Sequence, residues 1–238
     1  VGLTIYFVRH AEAANPRDIL YGRLPRVDLS ANGRKQAEAL AMAMADLPLE
    51  AIYQSPLLRA RRTATAIAVH HPGVPIIRSS LLLENRHPFE GRPQTEVAKL
   101  ADRAYDPDIL GTTGESLLDL RDRVVRFLQR TSRRHLGGVV AAVAHADPLA
   151  VLRVHLLSKE LSLTRLREET PPLAAVFRVD FDDDRPPRLE WFWKAQATAP
   201  TNEGAASGRN GRAAVAESQP GLAVDEQAAH DASRAAVG

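Results

Sequence analysis

The chain has no cysteine in its 238 residues. That excludes a disulfide framework, a thiolate metal site and a catalytic thiol, and it suits a reducing, cytoplasmic setting. Lysine is nearly missing too. Lys35, Lys99, Lys159 and Lys194 are the only four, so almost all the basic charge is arginine. The arginines are scattered among acids, and the formal net charge is only +2. A one-signed stripe with interleaved aromatics, the footprint of nucleic-acid binding, is lacking. No apolar run approaches the roughly 18 residues of a membrane span. The first residues also lack the basic-then-apolar pattern of a secretory signal. A nucleic-acid partner, a membrane partner and secretion are therefore not expected.

Composition divides what is there. After Trp193 the aromatics stop, and residues 195–238 are mostly Ala, Gly, Ser, Pro and Gln without a sustained period. Such a segment buries too little apolar area to offset its ordering entropy, so a disordered, low-complexity tail is expected over 195–238. Residues 1–194 instead alternate strand and helix patterns. Leu3 to Val8 is a short apolar run of strand type. Ser30 suits the cap of a helix whose Ala37, Leu40, Ala41 and Met44 share one face. Ala51 to Tyr53 reads as a strand, and Pro56 suits the first turn of a second helix through Ala64, Ile67 and Ala68. Pro75 to Ile77 reads as a further short strand. A helix is expected around Glu96 to Tyr105, and a longer one is marked by Leu117, Leu120, Val124 and Leu128. Gly138 to Ala144 is an apolar strand, with a helix starting near Pro148. Ala174 to Phe181 and Leu189 to Trp193 read as two strands, with Pro186 and Pro187 in their connection. The alternation implies an α/β fold of three layers, α/β/α, around a mostly parallel sheet.

Two apolar strands end in histidine, at His10 and at His145. A third, ending near Tyr53, leads to Arg59. In a parallel sheet the carboxyl ends of the strands share one edge, where ligands bind. That edge would gather Arg9, His10, Arg59 and His145: two guanidinium forks and two imidazoles. A phosphate is the natural guest of such a set, with helix N-termini adding backbone N–H donors.

The motifs then fall into a known order. Val8-Arg9-His10-Ala11-Glu12 is followed by Asp28-Leu29-Ser30 with Gly33 and Gln36-Ala37. Ser55-Pro56-Leu57 comes with Arg59-Ala60 and Thr63-Ala64, and Leu83-Glu84 with Phe89-Glu90-Gly91. Gly114-Glu115-Ser116 precedes a long helix, and Val143-Ala144-His145-Ala146 closes the series. In this order, over most of residues 3–193, the chain resembles the histidine phosphatase superfamily and its phosphoglycerate mutase-like fold, with a mixed, mostly parallel central sheet. The domain of that kind would be residues 1–194.

The resemblance implies metal-independent phosphomonoester hydrolysis without a cofactor. His10 would attack phosphorus and become a phosphohistidine. Arg9, Arg59 and His145 would hold the phosphoryl oxygens. Glu84 would protonate the leaving group and later activate water; Glu90, in the same loop, is the competing carboxylate. A working acid that must be protonated implies best activity at mildly acidic pH, as in an acid phosphatase. Asn15, Tyr21, Gly22 and Arg86 are candidate substrate contacts. Family members often carry glycine after each catalytic histidine, where this chain has Ala11 and Ala146. Phosphoglycerate mutases of this kind carry a longer insertion over the site. Here Gly91 to Gly114 is short, which favours hydrolysis by water over phosphoryl transfer as a mutase. Binding of a phosphorylated ligand without catalysis is the remaining alternative. The expected partner is a small phosphorylated substrate, and a homodimer is compatible with the family.

Overall fold

The first strand, β1 (Leu3–Arg9), shows how the molecule is organised. Successive strand side chains point to opposite faces. Leu3, Ile5 and Phe7 enter one apolar cluster, and Tyr6 and Val8 enter another. A strand buried on both faces needs helices on both. The computed structural model, which describes residues 2–100, 103–182 and 185–194, supplies them. The tail expected over 195–238 lies outside those residues.

The remaining strands are β2 (Ala51–Gln54), β3 (Ile76–Arg78), β4 (Val139–Ala144), β5 (Val176–Asp182) and β6 (Arg185–Trp193). They form one six-stranded sheet in the order β3-β2-β4-β1-β5-β6. β1 to β4 are mutually parallel, and β5 runs antiparallel to both β1 and β6. The helices are α1 (Ala31–Ala43), α2 (Leu58–Val69), α3 (Gln94–Ala98), α4 (Pro107–Leu110), α5 (Leu117–Arg134), α6 (Ala146–Leu156) and α7 (Leu163–Glu169). α1 and α2 cover one face through Ala37, Leu40, Ala60, Ala64 and Ile67. α5 and α6 cover the other through Leu120, Val124, Phe127, Leu149 and Leu152. At the centre of that second layer the Phe7 ring stacks on Phe177, with centroids 5.2 Å apart, and meets Phe127 edge-on. Among the described residues no helix is long and apolar enough to cross a membrane.

Register places the chemistry. Arg9 of β1 lies opposite Ala144 of β4, so the next residues, His10 and His145, leave the sheet side by side. β2 borders β4 on its other side with Gln54 opposite Val143. Ser55 is thus beside the same strand end, and Arg59 follows in the first turn of α2.

The segment after His10 is fixed by α1. Ser30 caps α1 by accepting from the Gly33 N–H at 2.8 Å, and its hydroxyl also binds the Glu12 carboxylate. Gln36 accepts from the Glu12 N–H at 2.9 Å. Gly33 lets the helix approach: a Cβ there would press into the Glu12 backbone carbonyl.

Three local expectations are corrected, and one helix is new. The helix expected around Glu96 to Tyr105 is instead α3, ending at Ala98. α3 buries none of its residues, so no tertiary contact lengthens it beyond about a turn. β6 runs through Pro186 and Pro187 rather than starting after them. It is an edge strand, where a missing N–H on the open side costs little. α2 begins at Leu58, two residues past Pro56. α7, capped by Ser162, has no counterpart among the expected helices.

Gly33→Ala is expected to lower unfolding stability by about 1–3 kcal/mol, since a rigid backbone carbonyl cannot move aside as a side chain would. Urea denaturation should show a lower midpoint with an unchanged slope.

Candidate active site

His10 is buried, and its two ring nitrogens do different work. Nδ1 lies 2.7 Å from the Ala11 carbonyl oxygen. A carbonyl only accepts, so Nδ1 carries the hydrogen and donates it. Nε2 keeps its lone pair and faces the Arg59 Nε–H at 3.1 Å. Burial, with the Arg59 guanidinium next, draws the His10 pKa well below the ordinary imidazole value, the Ala11 bond opposing them. The ring is neutral at neutral pH, with a nucleophilic nitrogen aimed away from the sheet.

His145 lies alongside, with ring centroids 5.0 Å apart. Its Nε2 is 2.7 Å from Ser55 Oγ, and that oxygen accepts the Leu57 N–H at 3.4 Å. Among the described residues the buried serine hydroxyl has no other acceptor for its own hydrogen, so it donates to His145 Nε2, which puts the imidazole hydrogen on Nδ1. That buried nitrogen has no partner among the described residues. Burial and then Arg59, His10 and Arg9 hold its pKa well below normal.

Arg59 has no exposed surface. Its Nη2 donates to the Gly22 carbonyl at 2.7 Å, its carbon lies 4.7 Å from the Tyr21 ring centre, and buried Nη1 has no partner. Among the described residues no carboxylate reaches it within ion-pair distance. Its anchor is Thr63, which accepts from the Ala11 N–H at 3.1 Å and donates to the Arg59 carbonyl at 2.9 Å. Arg9, at the end of β1, donates through Nη1 to the Pro171 carbonyl at 2.7 Å, while its buried Nε is unpartnered. Among the described residues, donors on Arg9, Arg59 and His145 are thus left without a partner beside His10.

Glu84 closes the group. Its Oε1 accepts from the Asn85 N–H at 2.9 Å and from the Asp147 N–H, in the first turn of α6, at 3.3 Å. Burial, followed by the neighbouring Asp147 carboxylate, pushes its pKa up to about 7, against the pull of Arg59, the Asn85 N–H and Arg9. Asp147 is itself held by the Tyr105 hydroxyl at 2.5 Å and faces His87 Nε2 at 3.7 Å. A cavity of about 470 Å³ opens on Asp147 and Tyr105, walled by Val97, Leu163, Leu166 and Thr170.

The structure therefore brings together Arg9, His10, Arg59, His145 and Glu84, with Tyr21 and Gly22 against Arg59. Gly22 sits at φ +34°, and a Cβ there would meet the Glu90 side chain at 2.7 Å. Glu90 accepts from the Arg23 N–H at 2.9 Å. The Asn15 side chain closes its own loop through two bonds to the Ile19 backbone. Arg86 is exposed, and its carbonyl binds the Glu115 N–H. It lines a different groove, with Arg23 and Arg123. Ala11 and Ala146 are not at positive φ, so a methyl group is admissible at both. Ser55, Thr63 and Asp147 are contributors that sequence reasoning did not single out. The first two stand in the Ser55 to Ala64 segment that carries Arg59, and Asp147 stands two residues after His145. Among the described residues no three His, Asp or Glu side chains are grouped to hold a metal ion.

Comparison with known proteins meets this geometry. The model of the histidine phosphatase superfamily (branch 1) matches residues 5–194. The chain is 35% identical over 190 residues to the uncharacterised protein Rv0525 of Mycobacterium tuberculosis, covering 76% of this chain and 91% of the relative. It is 32% identical over 168 residues to phosphoserine phosphatase 1 of Hydrogenobacter thermophilus, covering 66% and 78%. Among solved structures, YhfR of Bacillus stearothermophilus superposes with a TM-score of 0.67 at 26% identity, covering 76% of this chain and 92% of that one.

The ring assignments can be read by nitrogen-15 NMR of the histidine side chains. His10 and His145 are expected to stay neutral, as Nδ1–H tautomers, from about pH 6 to about pH 8, the interval in which an ordinary imidazole titrates. A titration of either ring in that interval would contradict the geometry.

Proposed function

The chain belongs to the histidine phosphatase superfamily, and on that footing we propose that it hydrolyses small phosphomonoesters through a phosphohistidine at His10, without a metal ion. The observation that carries this reading is the lone pair of His10 Nε2 set against Arg59 Nε, with unpartnered donors on Arg59, His145 and Arg9 around it. That is a nucleophile facing a cradle for an oxyanion.

In the first step His10 Nε2 bonds to phosphorus and the ester P–O bond breaks. Arg9, Arg59 and His145 carry the charge on the phosphoryl oxygens, and the Glu84 carboxyl gives its proton to the leaving oxygen. In the second step water attacks phosphorus, the P–N bond breaks, and Glu84, now ionised, accepts the water's proton. Phosphate leaves and the enzyme is restored. A pKa near 7 suits both halves, because the group is a usable acid and then a usable base.

Hydrolysis rather than transfer to a second substrate is supported by the cover. Between Gly91 and Gly114 it comprises the short helices α3 and α4, and α3 buries no residue. We read so little buried structure in its described residues as a poor barrier to water approaching the phosphohistidine.

Purified protein is expected to hydrolyse p-nitrophenyl phosphate with undiminished rate in EDTA. His10→Ala should remove the activity together with the acid-labile phosphoenzyme seen by mass spectrometry after a substrate pulse. Loss of turnover on chelation would refute the metal-free scheme.

The pH dependence follows from Glu84. Its acid form predominates below its pKa of about 7, so kcat/KM for phenyl phosphate should fall about tenfold per pH unit above that point. Asp147→Asn removes a neighbouring negative charge, so it should lower the Glu84 pKa and move the falling limb to lower pH. A limb that Asp147→Asn leaves in place would assign it to another group.

A further inference from the structure

The main chain that carries Glu84 has little structure of its own. It follows a single 3-10 turn, Ser80–Leu82, and belongs to no sheet ladder. Its carbonyl groups are held instead by two arginines distant in sequence. Arg123, buried in the middle of α5, donates through Nη1 to the carbonyls of Leu81 at 2.8 Å and Leu83 at 2.9 Å, and through Nη2 to that of Glu84 at 3.4 Å. Arg23 donates through Nε to the Glu84 carbonyl at 2.7 Å.

Two guanidinium groups meeting on one carbonyl repel each other, and both are largely out of water. Glu115 stands between them. Its Oε1 takes Arg123 Nε at 2.7 Å, and its Oε2 takes Arg123 Nη2 and Arg23 Nη2, each at 2.8 Å. The Glu115 side chain is only 14% exposed. Its place is set by its own N–H on the Arg86 carbonyl at 2.9 Å, one residue before the Ser116 cap of α5. The assembly also reaches the phosphate side. Arg23 directly follows Gly22, whose carbonyl holds Arg59 Nη2 at 2.7 Å. The groups that would hold phosphate and the group that would hold the proton are thereby fixed in one frame.

We propose that Glu115, acting with Arg23 and Arg123, is a positioning residue for the reaction: it keeps the two guanidinium groups together on the Leu81–Glu84 main chain and so sets the Glu84 carboxyl against the leaving oxygen. This rests on Glu84 being the acid and base of the reaction. Gly114-Glu115-Ser116 then has a chemical purpose beyond starting a helix. The serine caps α5, and the glutamate offsets the repulsion within the pair that holds the Leu81–Glu84 main chain. A carboxyl shifted by about 1 Å can cost about 100-fold in rate.

The test uses leaving-group dependence, which a general loss of folding does not change. Proton donation matters most for a basic leaving group. Phenolate, whose conjugate acid has a pKa of about 10, needs it far more than p-nitrophenolate. For Glu115→Gln we expect kcat/KM on phenyl phosphate to fall about 100-fold and on p-nitrophenyl phosphate about 10-fold or less. Glu115→Asp should recover part of the phenyl phosphate rate. Introduced into Glu84→Gln, Glu115→Gln should add no further loss. Equal losses on the two esters, or a full additional loss in the Glu84→Gln background, would overturn the proposal. If Glu84→Gln alone leaves phenyl phosphate turnover intact, the acid assignment is what fails, whatever Glu115→Gln does. Should Glu115→Gln not fold, Arg23→Gln removes one arm of the same assembly without leaving two cations unpaired. It is then read by the same ratio of the two esters and with the same two outcomes.

Discussion

A guanidinium with no exposed surface and no carboxylate partner is the constraint around which this protein is built. Taking a cation out of water costs of the order of several kcal/mol even after relaxation, and natural structures compensate by pairing it. Arg153 and Arg123 obey that rule, each lying against a glutamate. Arg59 does not. In direct contact it has a backbone carbonyl, an aromatic face and a neutral imidazole nitrogen, while the Glu84 and Glu90 carboxyls act on it only from beyond ion-pair distance. That leaves room for an anion that enters, and the two imidazoles beside it are kept neutral by burial and then by Arg59 itself. A charged imidazole next to Arg59 would add cation to cation, whereas a neutral one can give a lone pair from His10 and a hydrogen from His145.

The sheet makes that arrangement rigid. Parallel pairing with Arg9 opposite Ala144 sends two consecutive chemical residues out of two neighbouring strands at the same height. The apolar residues below them alternate between two separate helix layers, so a slip by one residue would invert both cores. The positions of His10 and His145 are therefore secured by the burial of Ile5, Phe7, Val140 and Ala142 as much as by their own hydrogen bonds. Glu84 has no such support. It sits on a loop, and two arginines and a glutamate replace the ladder it lacks.

That difference explains what the sequence disclosed. Strand ends are legible, because an apolar run that stops at a polar residue marks both the element and its exit, as at Val8-Arg9-His10 and Ala144-His145. Caps are legible for a similar reason: Ser30 is a short side chain just before a helical period. Family likeness added Glu84 and ordered the pieces. Partnership among the arginines was not legible. Arg23, Arg59, Arg86 and Arg123 look alike along the chain, yet one lies buried opposite the nucleophile, one is exposed, and two hold a loop. Pairing depends on neighbours far apart in sequence, which a linear pattern does not encode. The same limit hid Ser55, whose role exists only because β2 borders β4. The passage of β6 through Pro186 and Pro187 depends on its being an edge, a property of the assembled sheet and not of the strand.

The position of Glu84 resolves an electrostatic conflict. Beside Arg59 and Arg9 alone, a carboxyl would be held ionised and would have no proton to give. Burial and the Asp147 carboxylate act in the opposite sense and prevail, raising it to about 7. Asp147 is placed for this by the same helix start that follows His145, and its N–H, directed at Glu84 Oε1, limits the rise by favouring the ionised form. In the proposed scheme a bound ester brings new negative charge to the nearby cations before His10 takes up the phosphoryl group, and their pull on Glu84 weakens. The balance then favours the protonated form where the ester is bound; in that scheme the proton leaves with the first product and is regained from water before phosphate departs. Acid and base are one residue at two stages of charge around it, and the fold needs only to keep that residue still.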